Sequence, residues 1–247
     1  MSMVVRRWSK RLAGAVSVLI VAGAVVTLWT QPVLAALVCP SCFGFERLSD
    51  AIYVERSMSD TERTQFRQAM AQGTERVAHF YGELTAEPIV LACATDACSQ
   101  RLGGGSSRGA AYWTFALRLA PLGLNPVIIA HERSHIELHR RLGLFKFLTG
   151  AIPSWFDEGV AVVVSDDPRY LRPAGDGDRC LATTGSSLPQ TLPDWLRAAG
   201  RQHDLYAQAA CRVARWMEAH GGESAVTALV ERVRGGAAFE TIYDATR

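Results

Sequence analysis

The chain has 247 residues, 49% of them apolar, which supports a buried core and excludes wholesale disorder. Its formal net charge is only +2, with much of the basic excess at the extreme N-terminus. No basic stripe interleaved with aromatic residues is present, so no nucleic-acid partner is expected. Setting the N-terminal segment aside leaves roughly 210 residues, enough for one catalytic domain or a compact two-lobed one.

The N-terminus carries Arg6, Arg7, Lys10 and Arg11, runs apolar from Leu12 to Trp29, and breaks at Gln31-Pro32. This is the layout of an export signal. The run is long for a cleaved signal and just long enough to span a bilayer, so two fates are open. It is either removed near Ala35-Ala36, with Val33 upstream, or kept as a membrane anchor. Both put the remainder outside the cytoplasm, because the cations stay inside. The expected division is therefore residues 1–37 as signal peptide or anchor and residues 38–247 as one domain, soluble or membrane-associated through the N-terminal helix. Six cysteines fit an oxidising compartment. Fifteen pairings are formally available. The close pairs Cys39/Cys42 and Cys93/Cys98 suggest local bridges, leaving Cys180 with Cys211. A second metal site at Cys39-Pro-Ser-Cys42 is the rival reading, disfavoured because no matching CxxC follows.

Beyond this segment, Ala51 to Glu55 alternates in the manner of a short strand. Ser59 and Glu62 then make a capping-box pattern ahead of a helix with Phe66, Met70, Val77 and Phe80 on one face and Gly82 at its end. Ile89 to Ala94 is a compact apolar strand after Pro88. Gly103 to Ser107 lacks the lysine of a phosphate loop and reads as a flexible turn. Ala111 to Leu119 reads as another strand. Asn125-Pro126 opens a helix that runs to about Leu142, where Gly143 stops it. A further helix begins after Pro153 and carries Trp155 to Val164. Asp166 to Pro193 is rich in Gly, Pro, Asp and Ser and reads as irregular. Leu205 to Arg234 reads as two helices broken at Gly221-Gly222, with a short final helix from Ala237. Strands first and helices afterwards is an α+β order.

The chemistry lies on the Asn125-capped helix, in His131-Glu132-Arg133-Ser134-His135. Residues four apart share a helical face, so both imidazoles can reach one metal ion. Zinc accepts neutral imidazole nitrogens, and a catalytic site needs a third protein ligand and one open position. Glu132, beside the first histidine, is placed to take a proton from water as general base and return it to a leaving group. A carboxylate on the next helix, in Trp155-Phe156-Asp157-Glu158-Gly159-Val160-Ala161, could complete the set.

With that second segment the sequence resembles the gluzincin metallopeptidases, in particular the peptidase MA-like group and, more distantly, the M1-type aminopeptidases. These follow HExxH with W-x-x-E-G-x-A, matched here by Trp155, Glu158, Gly159 and Ala161. The resemblance covers roughly residues 89–243. It implies a zincin-like fold: a small N-terminal sheet, an HExxH active-site helix and a mainly helical C-terminal lobe. It also implies zinc held by His131, His135 and Glu158, with Glu132 as base. Tyr206 is the residue it offers for stabilising an oxyanion, the alternative being a buried tyrosine that anchors its helix; His203 is a weaker candidate. Asp157 reads either as an orienting group behind a ligand or as a solvent-facing carboxylate near a helix start.

The sequence departs from the pattern in two places. The stretch between His135 and Glu158 is longer than in the aminopeptidase branch and contains Leu144-Phe145-Lys146-Phe147-Leu148, which reads first as core, then as a substrate wall or membrane contact. His139 reads as a polar-face histidine beside Arg140 and Arg141. The expected function is zinc-dependent hydrolysis of a protein or peptide outside the cytoplasm. The alternative is a catalytically silent zinc-binding interaction module of the cell envelope.

Overall fold

The described residues of the computed structural model are 30–244, apart from 176 and 184–186. The basic and apolar run up to Trp29 lies outside them. Among the described residues no helix is long and apolar enough to cross a membrane.

Five short strands make one mixed sheet: β1 (Phe45–Ser49), β2 (Ile52–Glu55), β3 (Ile89–Ala92), β4 (Gly109–Tyr112) and β5 (Ala116–Leu119), in the order β1-β2-β3-β5-β4. β2, β3 and β5 are parallel, and the edge strands β1 and β4 run antiparallel to their neighbours. The stretch read as one strand, Ala111 to Leu119, is instead a hairpin. It reverses at Trp113, whose φ of 47° belongs to the left-handed region. β-Branched and aromatic residues around a turn look continuous in sequence, because a strained reversal at tryptophan carries no glycine or proline signal.

Side-chain alternation gives the sheet two apolar faces. One face, with Val54, Val90, Ala92, Leu117 and Leu119, packs on α2 (Asp60–Tyr81) and α4 (Pro126–Leu142). The reciprocal Ser59–Glu62 capping box starts α2, and the Asn125 side chain accepts from the amides of Val127 and Ile128 to start α4. The other face, with Phe45 and Leu91, is covered by α1 (Pro32–Val38), which buries Val33 and Ala36. The Cys93–Cys98 bridge lies on the same face, with Leu102 beyond the short α3 (Asp96–Arg101). Helix α1 spans the Ala35-Ala36 pair.

The second lobe is helical. α6 (Ser154–Ser165), α8 (Leu205–His220), α9 (Glu223–Arg234) and α10 (Phe239–Asp244) share a core centred on Trp155, Phe156, Trp216, Phe239 and Tyr243. α7 (Leu192–Ala199), capped by Thr191, falls at the end of the region read as irregular and buries Trp195 in this core. Between α4 and α6 lies α5 (Leu144–Leu148), turned in and out by Gly143 and Gly150 at φ 85° and 62°. The expectation of core for this segment is corrected: Leu144, Phe145 and Leu148 are exposed, and Phe147 alone of the four apolar residues packs inward. A helix of five residues has only one inward position per turn.

All three cysteine pairings expected from the spacing are present: Cys39–Cys42, Cys93–Cys98 and Cys180–Cys211. They fit an oxidising, extracytoplasmic environment.

Candidate metal centre

His131 and His135 lie one turn apart on α4 with edge-to-face rings, and their Nε2 atoms are 3.3 Å from each other. α6 brings Glu158 opposite them. Its Oε2 is 3.3 Å from His131 Nε2 and 3.7 Å from His135 Nε2. The three atoms make a nearly equilateral triangle. Ligands held tetrahedrally at about 2.0–2.1 Å from an ion stand about 3.3–3.4 Å apart, so the triangle has the size of one face of such a site. Glu158 Oε2 is cut off from solvent and has no hydrogen-bond partner. A buried carboxylate oxygen without a donor is costly, and a cation among these three atoms removes the cost.

Behind this face lies an arrangement only partly legible in the sequence. Asp157 bridges two histidines: its Oδ1 is 2.7 Å from His135 Nδ1 and its Oδ2 is 2.7 Å from His139 Nε2. His139 is buried, stacked on His135 on one side and tilted against Phe147 on the other, which corrects its reading as a solvent-side residue. Its i+4 spacing from His135 was the available signal; the Asp157 bridge requires the contact between α4 and α6. Both Asp157 carboxylate oxygens are taken up by these contacts, which corrects its solvent-facing reading. With Nδ1 of His135 bound to a carboxylate, Nε2 is left to face a metal.

The electrostatics follow from burial and these contacts. Burial acts to lower the His135 pKa, but the Asp157 carboxylate and its hydrogen bond outweigh that and push it up to about 10. Burial likewise opposes ionisation of Asp157, yet the two histidines hold its carboxyl well below the usual range. Glu132 is buried, which pushes its carboxyl up, while the charges of His131 and His135 pull it back. It packs against the first residue of β4: a Cβ on Gly109 would lie 2.6 Å from Glu132 Cγ and 2.7 Å from its Oε1. Gly109 therefore makes the slot in which the carboxylate lies, a role that a glycine opening a strand does not announce.

Tyr206, in the first turn of α8, comes within 6.4 Å of His131 between ring centres. It is half-buried, stacked on Tyr170 and edge-on to Trp195. Burial pushes its hydroxyl pKa up, and the nearby Glu158 charge adds to the rise, so the phenol stays protonated. His203 is exposed in the turn ahead of α8. The close approach of α6 and α8 depends on Gly159, where a Cβ would lie 2.6 Å from both the Ala209 carbonyl oxygen and Val213 Cγ2.

Two groups among the described residues could hold a metal ion: His131, His135 and Glu158, and His135, His139 and Asp157. In the second group the Asp157 carboxylate already bridges the two histidines, whereas in the first Glu158 Oε2 is buried without a hydrogen bond. Compared with known proteins, the chain matches no protein family, no curated protein and no solved structure.

Proposed function

We propose that the chain is a zinc-dependent peptidase with a zincin-like active site, built as in the gluzincins it resembles. The observation that carries this reading is the His131, His135 and Glu158 triangle with its unpartnered buried oxygen, set beside Glu132. Two imidazoles and one carboxylate at tetrahedral spacing are a donor set that suits zinc and leaves a fourth position for substrate or water. When bound, zinc supplies Lewis acidity, which acidifies water and polarises a carbonyl.

The chain's own groups then have separate tasks. Asp157 accepts from His135 Nδ1–H and so fixes the tautomer that presents Nε2. Glu132, raised in pKa by burial, takes a proton from water and delivers it to the leaving amine. Tyr206 stays protonated and donates to the oxygen that gains charge as the carbonyl is attacked. β4 is a sheet edge lined by Gly109, Ala110 and Ala111, whose small side chains let an extended peptide add as a further strand beside Glu132. The three bridges support a site of action outside the cytoplasm.

Zinc content and peptide cleavage measured on the full-length protein and on Glu132→Gln test this reading. The expected result is stoichiometric zinc in both proteins, with cleavage reduced by about 10²–10⁴-fold in the variant. Equal cleavage by both would remove Glu132 as base, and absence of bound zinc from the wild type would remove the whole reading.

A further inference from the structure

The reverse side of α4 carries a feature that the metal centre does not use. Arg133 stands two positions from each of His131 and His135. At 3.6 residues per turn its side chain leaves the helix roughly 200° away from theirs. There it borders a cavity of about 330 Å³ between the β1–β2 turn, the start of β3, and α2. Ile52, Met70, Pro88 and Val90 supply apolar wall. This volume is at the lower end of the range for small-ligand sites.

The guanidinium there makes no close pair, although the charges of Glu137 and Glu87 lie near enough to favour it. Arg133 is partly buried, its Nε has no solvent access and no partner, and no hydrogen bond or ion pair reaches it among the described residues. Glu137, one turn further along, would be its ordinary helical partner. That carboxylate is already occupied, accepting from the amides of Thr85 and Ala86 and from the Thr85 hydroxyl at 2.9–3.1 Å. Asp50, on the cavity wall, is paired with Arg47 at 3.0 Å. Glu87, also on the wall, is exposed and makes no ion pair with Arg133.

We propose that this cavity binds a monocarboxylate carrying an apolar group, its carboxylate on the Arg133 guanidinium and its apolar part against Ile52, Met70 and Val90. The two terminal NH2 groups of Arg133, which make no hydrogen bond among the described residues, match a carboxylate in a forked pair. The carboxylates of Glu87 and Asp50 on the wall oppose a dianion such as phosphate about twice as strongly as a single carboxylate, and the apolar wall selects for a hydrocarbon body. The inference is independent of peptidase activity, because it rests on the opposite side of the helix.

3-Phenylpropionate is the probe, titrated calorimetrically into the full-length protein alongside 3-phenylpropylamine and inorganic phosphate. Saturable binding of the acid alone is expected, with a rise in Tm of about 3–5 °C at ten times Kd. Arg133→Met should weaken binding at least about tenfold. Met70→Trp, which keeps the cation and fills the cavity, should remove it. Undiminished affinity in either variant, or equal binding of the amine, overturns the proposal. So does binding that survives in Arg133→Met but vanishes in Glu158→Ala, which would put the carboxylate on the metal centre instead.

Discussion

Gly159→Ala probes the contact on which the site's geometry depends. Gly159 adjoins Glu158 on α6, and the added Cβ would lie 2.6 Å from the backbone oxygen of Ala209 on α8. Ordinary carbon–oxygen contacts are no closer than about 3.3 Å, so α8 must retreat by about 0.7 Å. The obstacle is backbone, which cannot swing aside as a side-chain tip would. Overpacking of this kind costs about 1–3 kcal/mol, and the better helix propensity of alanine returns up to about 1 kcal/mol. The expected net loss is about 1–2 kcal/mol, a fall in Tm of about 3–6 °C. Thermal melts followed by circular dichroism measure it. Gly200→Ala serves as the control, since that glycine has φ −74° and no atom nearer than 4.0 Å; it should be neutral or slightly stabilising. A Gly159→Ala variant as stable as the wild type would refute the reasoning, because α6 and α8 would then have room that the structure denies them.

Asp157→Asn should lower metal affinity by about 10–100-fold in chelator competition, by unlocking the His135 tautomer; unchanged affinity would make the bridge decorative. With Asp157 pushing the His135 pKa up to about 10, metal uptake at neutral pH is expected to displace a proton from it. Affinity should therefore climb by up to about tenfold per pH unit below that value, and a flat profile would contradict it. The same pair links metal-free stability to pH. The raised His135 pKa stabilises fully below its ordinary 6.5 and fades as pH rises toward about 10; the lowered Asp157 pKa stabilises above its ordinary 3.8 and fades as pH falls. Urea midpoints of the metal-free protein should accordingly be highest between those two ordinary values. Finally, the Cys180–Cys211 bridge closes a separation of 31 residues, so the Cys180→Ser/Cys211→Ser double variant should lose about 3.5 kcal/mol in urea denaturation.

Much of the site could be read from local spacing. An i, i+4 pair of histidines on a helix with an asparagine cap is a statement about adjacent turns, and α4 obeys it. The same holds for the Ser59–Glu62 box and for the cysteine pairs close in sequence. His139 reads as a polar-face residue in the sequence because its neighbours Arg140 and Arg141 make that turn look solvated, whereas the packing of α6 against α4 buries it. The hairpin at Trp113, the helix around Trp195 and the outward turn of Leu144, Phe145 and Leu148 carry no local signal for a similar reason. Each depends on what the segment packs against, and hydrophobicity alone does not say which face will find a partner.

The linear order of residues by itself determined the donor types, the helical face that carries them and the α+β sequence of elements, because these follow from periods of two and 3.6 and from caps a few residues long. Only the tertiary structure decided that Glu158 Oε2 meets both imidazoles, that Asp157 ties His135 to His139, and that Gly109 and Gly159 leave room for Glu132 and for α8. Those relations join residues tens of positions apart, and the close packing of whole helices and strands fixes them to tenths of an ångström.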